Sequence, residues 1–304
     1  MTPEIVSNLC NSWLEASIAP DGSFIIGRET EKYRLSNNGI VFHELDFDTL
    51  CSAIIGTTNV LLLPGISTSI SEDHFRLWSW CGALLLSSRG LVFTCEQMEA
   101  KELLETSIRC ALVNCSPPLK DKKEWQESVK AMSIQPIRIQ HFVNKHNLIL
   151  AYIGFPLLEF VLKRACSEYV NMDGVIIKKF DNYKDKNIDK GKKRINSLEI
   201  LLNLLFNHVA DEKLKKLLTE FQKKIQTTCK SPNAFKLIYT WRNQSLHGTT
   251  NFSTIGGTLL SLSLLILLFE IKDDFEEIKN EEINDARRQI NFYTSYYPPE
   301  GFPL

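Results

Sequence analysis

The stretch Tyr239-Thr240-Trp241-Arg242-Asn243-Gln244-Ser245-Leu246-His247-Gly248 decides how the second half of the chain is read. Phe235, Ile238 and Tyr239 form an apolar stripe at helical spacing, and Gly248 is a natural helix stop. Upstream, Ser231-Pro232 supplies a serine cap followed by proline at the first helical position. The stretch therefore sets Arg242, Asn243 and His247 around the end of a helix. In one unbroken helix residues 242 and 247 would stand ~140° apart, too far to converge on one ligand atom. If the helix ends near Leu246, His247 can turn back over the last turn and share a site with Arg242.

Working outward, the neighbours are also helical. Pro156 suits the first turn of a helix running to about residue 169, with Leu157, Leu158, Phe160, Val161 and Leu162 as its apolar surface. Residues 172–180 suit a small β excursion, and 181–194 form a lysine-rich polar loop. Asn196-Ser197-Leu198-Glu199 resembles a capping box ahead of a helix over 198–209 that is apolar almost all round. Residues 212–226 are amphipathic, with Leu214, Leu217, Leu218, Phe221 and Ile225 on one face and lysines elsewhere. The run LLSLSLLILLF at 259–269 spans barely half of the ~20 residues a bilayer crossing needs, so it is read as a helix buried in a bundle. A charged continuation follows over 272–288, and 293–299 (YTSYYPP) is read as a loose tail or partner contact.

Within this helical frame, Arg242, Asn243 and His247 resemble the signature of the HEPN superfamily: an arginine, commonly followed by a polar residue, four to six residues ahead of a histidine in a small helical bundle. Here four residues intervene, Asn243 directly follows the arginine and Gly248 directly follows the histidine. No other arginine in the chain has a histidine at that spacing. The resemblance covers these few residues and a helical frame over roughly the last 165 residues, with nothing comparable in the first half. It implies a metal-independent endoribonuclease whose site is shared between two copies of the chain, with no cofactor. His247 would then be the acid-base group, Arg242 the clamp on the scissile phosphate, and Asn243 the residue that orients histidine or ribose. Two copies supply the base for the 2'-hydroxyl, the acid for the 5'-oxygen and the positive charge that metal-free cleavage needs. The products would be a 2',3'-cyclic phosphate and a 5'-hydroxyl.

The first 116 residues read differently, as a small α+β domain. Pro20-Asp21-Gly22 is a turn, and residues 24–26, 33–35 and 40–42 are short β-prone runs, the last two joined by the hairpin signal Asn37-Asn38-Gly39. NVLLL at 59–63 and GLVFT at 90–94 suit buried strands. Helices are expected over 5–16, over 71–86 behind a serine cap and two acids, and over 96–113. No glycine-rich nucleotide fingerprint is found there. His43 and His74 stand beside Glu44, Asp46, Glu72 and Asp73 and are read as surface histidines paired with those acids. The whole chain is thus read as α+β: residues 1–116 a mixed α/β domain with a regulatory or specificity role, 117–136 a linker, and 137–304 an all-α HEPN-like bundle.

Charge supports a nucleic-acid partner only locally, since the net charge is -1. Residues 1–120 carry 8 Lys+Arg against 14 Asp+Glu, whereas residues 178–236 carry 15 against 7. Lys190, Lys192, Lys193, Arg194, Lys216 and Lys223 are the candidate phosphate contacts, because paired backbone charges favour such a segment. The eight cysteines show no CxxC pair or close histidine cluster, so no metal site is suggested and most are read as reduced core thiols. The start MTPEIVSNLCNSWLEAS lacks the features of a signal peptide, and a cytoplasmic address follows. The function expected is a dimeric toxin-like or antiviral endoribonuclease acting on RNA, with an antitoxin or other regulatory partner as a further possibility. The alternative is a HEPN-like module that binds RNA or protein without turnover.

Overall fold

The structure, a computed structural model, describes residues 1–21, 30, 32–62, 72–86, 92–112, 123, 126–127, 130, 133–181, 194–195, 197–247 and 252–288. The described helices, in chain order, are α1 (Pro3–Ala16), α2 (Phe47–Leu61), α3 (Glu72–Leu86), α4 (Met98–Leu112), α5 (Ile137–Asn144) and α6 (His146–Ala165). They continue with α7 (Leu198–Leu204), α8 (Glu212–Cys229), α9 (Ala234–Leu246), α10 (Phe252–Glu270) and α11 (Phe275–Arg288). A π-helical turn, Leu205–Val209, extends α7.

The expected α+β fold is corrected by this architecture. Among the described residues the first half is helical with no sheet, and the β-bridges whose two partners are both described are the isolated pairs Val170–Ile176 and Val175–Arg194 in the second half. The run at 59–63 belongs instead to the end of α2, up to Leu62 as described. Asp46 caps that helix by accepting from the Thr49 N–H at 2.7 Å, and almost every residue from Phe47 to Leu61 is buried. A helix enclosed on all sides shows no period to distinguish its last apolar turn from a core strand. Asn37-Asn38-Gly39 does turn the chain through a left-handed glycine, φ 73°, but it closes the 3-10 turn Ser36–Asn38 and not a hairpin. Residues 33–35 and 40–42 are turn, coil and 3-10 helix. At 92–94 the chain is extended only to reach Thr94, whose side chain and that of Gln97 form a capping box leading into α4. The expected strand at 24–26, Gly248 and the tail at 293–299 lie outside the described residues.

Helix starts were also displaced. Pro156 lies inside α6, which begins ten residues earlier at His146. Ser197, not Asn196, is the N-cap residue of α7, and it makes no side-chain capping bond. Asn233 caps α9 by accepting from the Lys236 N–H at 2.9 Å, so that helix opens at Ala234 and not at the Ser231-Pro232 pair.

The centre of the molecule is the pairing of α6 with α10, its most extensive helix contact. Ile255 to Leu268 are all buried, so α10 must be enclosed on every side. Two glycines let the axes approach. A Cβ on Gly256 would meet Leu150 Cγ at 2.8 Å and the Ala151 amide nitrogen at 3.0 Å, and one on Gly154 would meet the Leu259 side chain at 3.2 Å. Helices α2, α3 and α4 also touch α10, and the Trp78 indole N–H donates to Ser261 Oγ at 3.2 Å. One apolar cluster therefore includes residues from Val6 to Ile278, drawn from both halves of the chain. The expected linker falls mostly outside the described residues.

His43 and His74 are buried, contrary to the surface reading. His74 donates from Nε2 to the Thr57 carbonyl at 3.1 Å and lies against Trp13 and Trp78. Burial lowers its pKa to about 4. Asp73, equally buried, accepts from the Leu35 and Ser36 N–H groups at 2.7 and 2.9 Å and so fixes the 3-10 turn to α3. No single helix among the described residues is long and apolar enough to cross a membrane, and the chain bends by 111° between the apolar α10 and the charged α11.

Two outcomes follow. Gly256→Ala gains up to about 1 kcal/mol of helix propensity but overlaps a backbone atom and a Leu150 carbon, an overpacking cost of about 1–3 kcal/mol. Denaturant unfolding should show a net loss, while Gly154→Ala, which meets only side-chain atoms, should be close to neutral. His74 has a folded pKa (about 4) below its unfolded value, so its contribution is complete above pH 6.5 and is lost as pH falls toward 4. That gap corresponds to roughly 3 kcal/mol. Asp73, whose pKa burial raises, titrates in the opposite sense at the acid end. Comparing His74→Gln with the parent cancels Asp73, and the parent should lose more stability between pH 7 and 4.

Candidate functional site

Helix α9 ends at Leu246, the residue the motif requires. His247 is the C-cap, with φ -99° and ψ 3°, and its N–H donates to the Gln244 carbonyl at 3.1 Å. The backbone has left the helical path by this residue, and the imidazole is exposed. Arg242 and Asn243 are half-buried one turn back, on the same helix end. Five residues of rise separate Arg242 from His247 by about 7.5 Å along the axis, a span that one phosphodiester and its ribose can bridge.

Two elements hold that end in place. Trp241 and Ser245, four residues apart, are both buried and turn one face of α9 into the bundle. From α6, the Tyr152 hydroxyl donates to the Ser245 carbonyl at 2.8 Å, occupying one of the carbonyls that a helix C-terminus leaves without an intrahelical partner. Ser245 Oγ is itself buried and has no hydrogen-bond partner among the described residues, and no histidine is placed to activate it.

Arg242 is the best-connected member. Its guanidinium faces Glu159 of α6 at 3.5 Å, and Lys163, one turn along α6, reaches the other oxygen of the same carboxylate at 2.8 Å. The side chains are 29% (Arg242), 20% (Glu159) and 11% (Lys163) exposed. The trio holds two cations and one anion, and the shorter contact belongs to Lys163. Glu159 is an acid within the helix expected around Pro156, and so a partner that the sequence offers for Arg242. Lys163 was missed, although its i,i+4 spacing from Glu159 is a local signal. Tyr152 had no such signal, because its contact spans 93 residues.

Of the candidate phosphate contacts, the described ones belong to separate elements, Arg194 to a bridge and Lys216 and Lys223 to α8. Lys190, Lys192 and Lys193 lie outside the described residues. Arg194 is exposed at the bridge to Val175. Lys216 and Lys223 are exposed on α8, and Lys216 lines a cavity of about 220 Å³ between α1, α2 and α8 whose wall also includes Glu4 and Glu220. That mixture of signs does not suit a polyanion. Among the described residues no group of three or more His, Cys, Asp or Glu side chains is arranged to hold a metal ion. Comparison with protein-family models, with curated proteins and with solved structures finds no match to the chain.

The three-residue charge cluster makes an asymmetric prediction. Arg242→Ala leaves Glu159 with its closer partner and should cost no more than about 1 kcal/mol. Glu159→Ala leaves two cations facing each other, one of them almost covered, and should cost on the order of 2–3 kcal/mol. Urea unfolding of both variants checks this, and equal losses would contradict the charge assignment.

Proposed function

We propose that the chain is a metal-independent endoribonuclease of HEPN type, cutting RNA by attack of the 2'-hydroxyl to leave a 2',3'-cyclic phosphate. The observation that carries the reading is the helix end itself. Helix α9 stops at Leu246, leaving an exposed His247 just beyond Arg242, whose partner Glu159 also pairs with Lys163. On this reading His247 moves the proton and Arg242 grips two phosphate oxygens through its planar fork. Asn243, beside Arg242, orients the ribose or the imidazole.

One histidine cannot be base and acid in the same step, so the reading requires a second copy of the chain. The region next to the site supports such an association: Ile134, Ile137 and Phe142, on and just before α5, are exposed, and α5 runs directly into the helix that carries Tyr152 and Glu159. The proposed setting is that of a toxin or antiviral effector, with the first half governing when or where it cuts. A second reading, a HEPN-like module that binds RNA or protein without turnover, is favoured by one contact: the Arg242–Glu159 pair gives the arginine a structural partner.

The test is cleavage of labelled single-stranded RNA by the full chain in EDTA, with the product ends identified. Arg242→Ala and His247→Ala should each lower the rate by at least about 100-fold with the fold intact. Undiminished cleavage in both variants would overturn the proposal, and RNA that is bound but never cut would establish the second reading.

A further inference from the structure

A second feature lies on another part of the surface and is not used by the helix-end site. After α7 the chain forms a π turn, closed by the Ala210 N–H donating to the Leu205 carbonyl at 2.8 Å, and the inserted residue re-aims the side chains that follow. Such insertions are retained at functional positions more often than elsewhere. Here the turn directs Phe206 to the Phe235 ring, 6.1 Å away at the start of α9, and leaves His208 exposed.

The imidazole of His208 is braced from two sides. Tyr169 lies 5.8 Å away and tilted, Phe180 lies 6.1 Å away and edge-on, and these two rings meet each other at 88°. Nε2 of His208 lies 3.4 Å from the Asp181 carbonyl. Around the rings are cations: Lys178 Nζ sits 4.4 Å from the Tyr169 centroid and 3.5 Å from Glu168, and Lys179 is exposed beside it. Arg194 is held by its bridge to Val175. Its neighbour Ile195 donates to the Gly174 carbonyl at 2.8 Å, where a left-handed φ of 82° and a carbonyl only 2.7 Å from any added Cβ both demand glycine.

A fixed, exposed aromatic ring bordered by cations is what an unpaired base and its flanking phosphates require, because stacking accepts any base and the phosphates carry the charge. We propose that His208, braced by Tyr169 and Phe180 and bordered by Lys178 and Lys179, is a docking platform for single-stranded RNA. It rests on the reading of RNA as the partner and adds a second contact region to it. Since Phe206 touches Phe235 at the start of α9, and α9 then rises about 18 Å over the twelve residues to His247, the platform adjoins the helix start and the helix-end site its other end. Holding the strand there would raise its local concentration at Arg242 and His247 without taking part in the chemistry.

The experiment measures binding and cutting separately. Binding of a fluorescein-labelled eight-nucleotide oligouridylate is followed by anisotropy in EDTA, in the full chain carrying His247→Ala so that no product forms. Adding His208→Ala should weaken binding about fivefold or more with an unchanged melting temperature, and His208→Tyr, which keeps a stacking face, should restore it. Lys178→Ala with Lys179→Ala should lower the salt dependence of binding. Unchanged affinity in His208→Ala, or a His208→Tyr variant as weak as the alanine one, would overturn the platform. If the parent chain binds through His208 but never cuts RNA, the nuclease reading fails and the platform stands. If it cuts RNA while His208→Ala changes nothing, the reverse holds.

Discussion

The close approach of α6 and α10 is the constraint on which the rest of the structure depends. A helix buried from Ile255 to Leu268 has no solvent face, so its neighbours must surround it. Gly154 and Gly256 let α6 come near enough to seal one side, and α2, α3 and α4 from the first half cover others. The polar atoms that α10 brings inside are satisfied locally or by its neighbours: Ser263 Oγ donates to the Leu259 carbonyl at 2.8 Å, and Ser261 Oγ accepts from the Trp78 indole. At its end, Arg164 of α6 pairs with Glu270 at 2.7 Å and also reaches Gln97 at the entrance to α4. The two ends of the chain are thus tied through one helix pair.

That packing determines which face of α6 is left for chemistry. At 100° per residue, Leu150 and Gly154 fall on one side of the helix, while Tyr152, Glu159 and Lys163 fall together on the opposite side. The first set meets α10 and the second meets α9. The helix-end site is therefore built on the back of the most rigidly placed element in the molecule, and the same sequence periodicity produces both surfaces. Contacts at Tyr152–Ser245 and Glu159–Arg242 show that as α6 advances α9 recedes, so the two helices run in opposite senses and the end of α9 is held at two heights.

What the sequence revealed depended on how far each signal reached. The extent of α1 and the start of α8 were legible from apolar spacing and local signals, because those helices have one wet face, and α3, though buried almost throughout, was marked by the acids at its start. Residues 272–288 were read as a continuation of the apolar helix, whereas α11 is separate and begins at Phe275. Helix α2 was missed because both of its faces are buried and only Asp46 marks its start. Asn38-Gly39 correctly signalled a left-handed residue, yet the partner that gives the turn its meaning is Asp73, 37 residues away. His43 and His74 looked solvated because acids adjoin them in sequence, whereas burial is decided by Trp13, Trp78 and Trp80 from elsewhere. The end of α9 was placed correctly, since Leu246 and His247 are governed by neighbours within one turn. The bracing of that end from α6, and the ring cluster at His208, are tertiary arrangements with no local trace.

Glu159 is shared unequally between its two cations. A carboxylate shared by two cations gives most of its attraction to the closer one, and at 2.8 Å against 3.5 Å that is Lys163. Lys163 is also the more buried of the two cations, so its pairing with Glu159 is the one that solvent screens least. Arg242 is more exposed, and its contact with Glu159 lies at the outer limit of hydrogen-bond distance. Lys163 thus neutralises Glu159, and Glu159 ties the Arg242 guanidinium of α9 to α6.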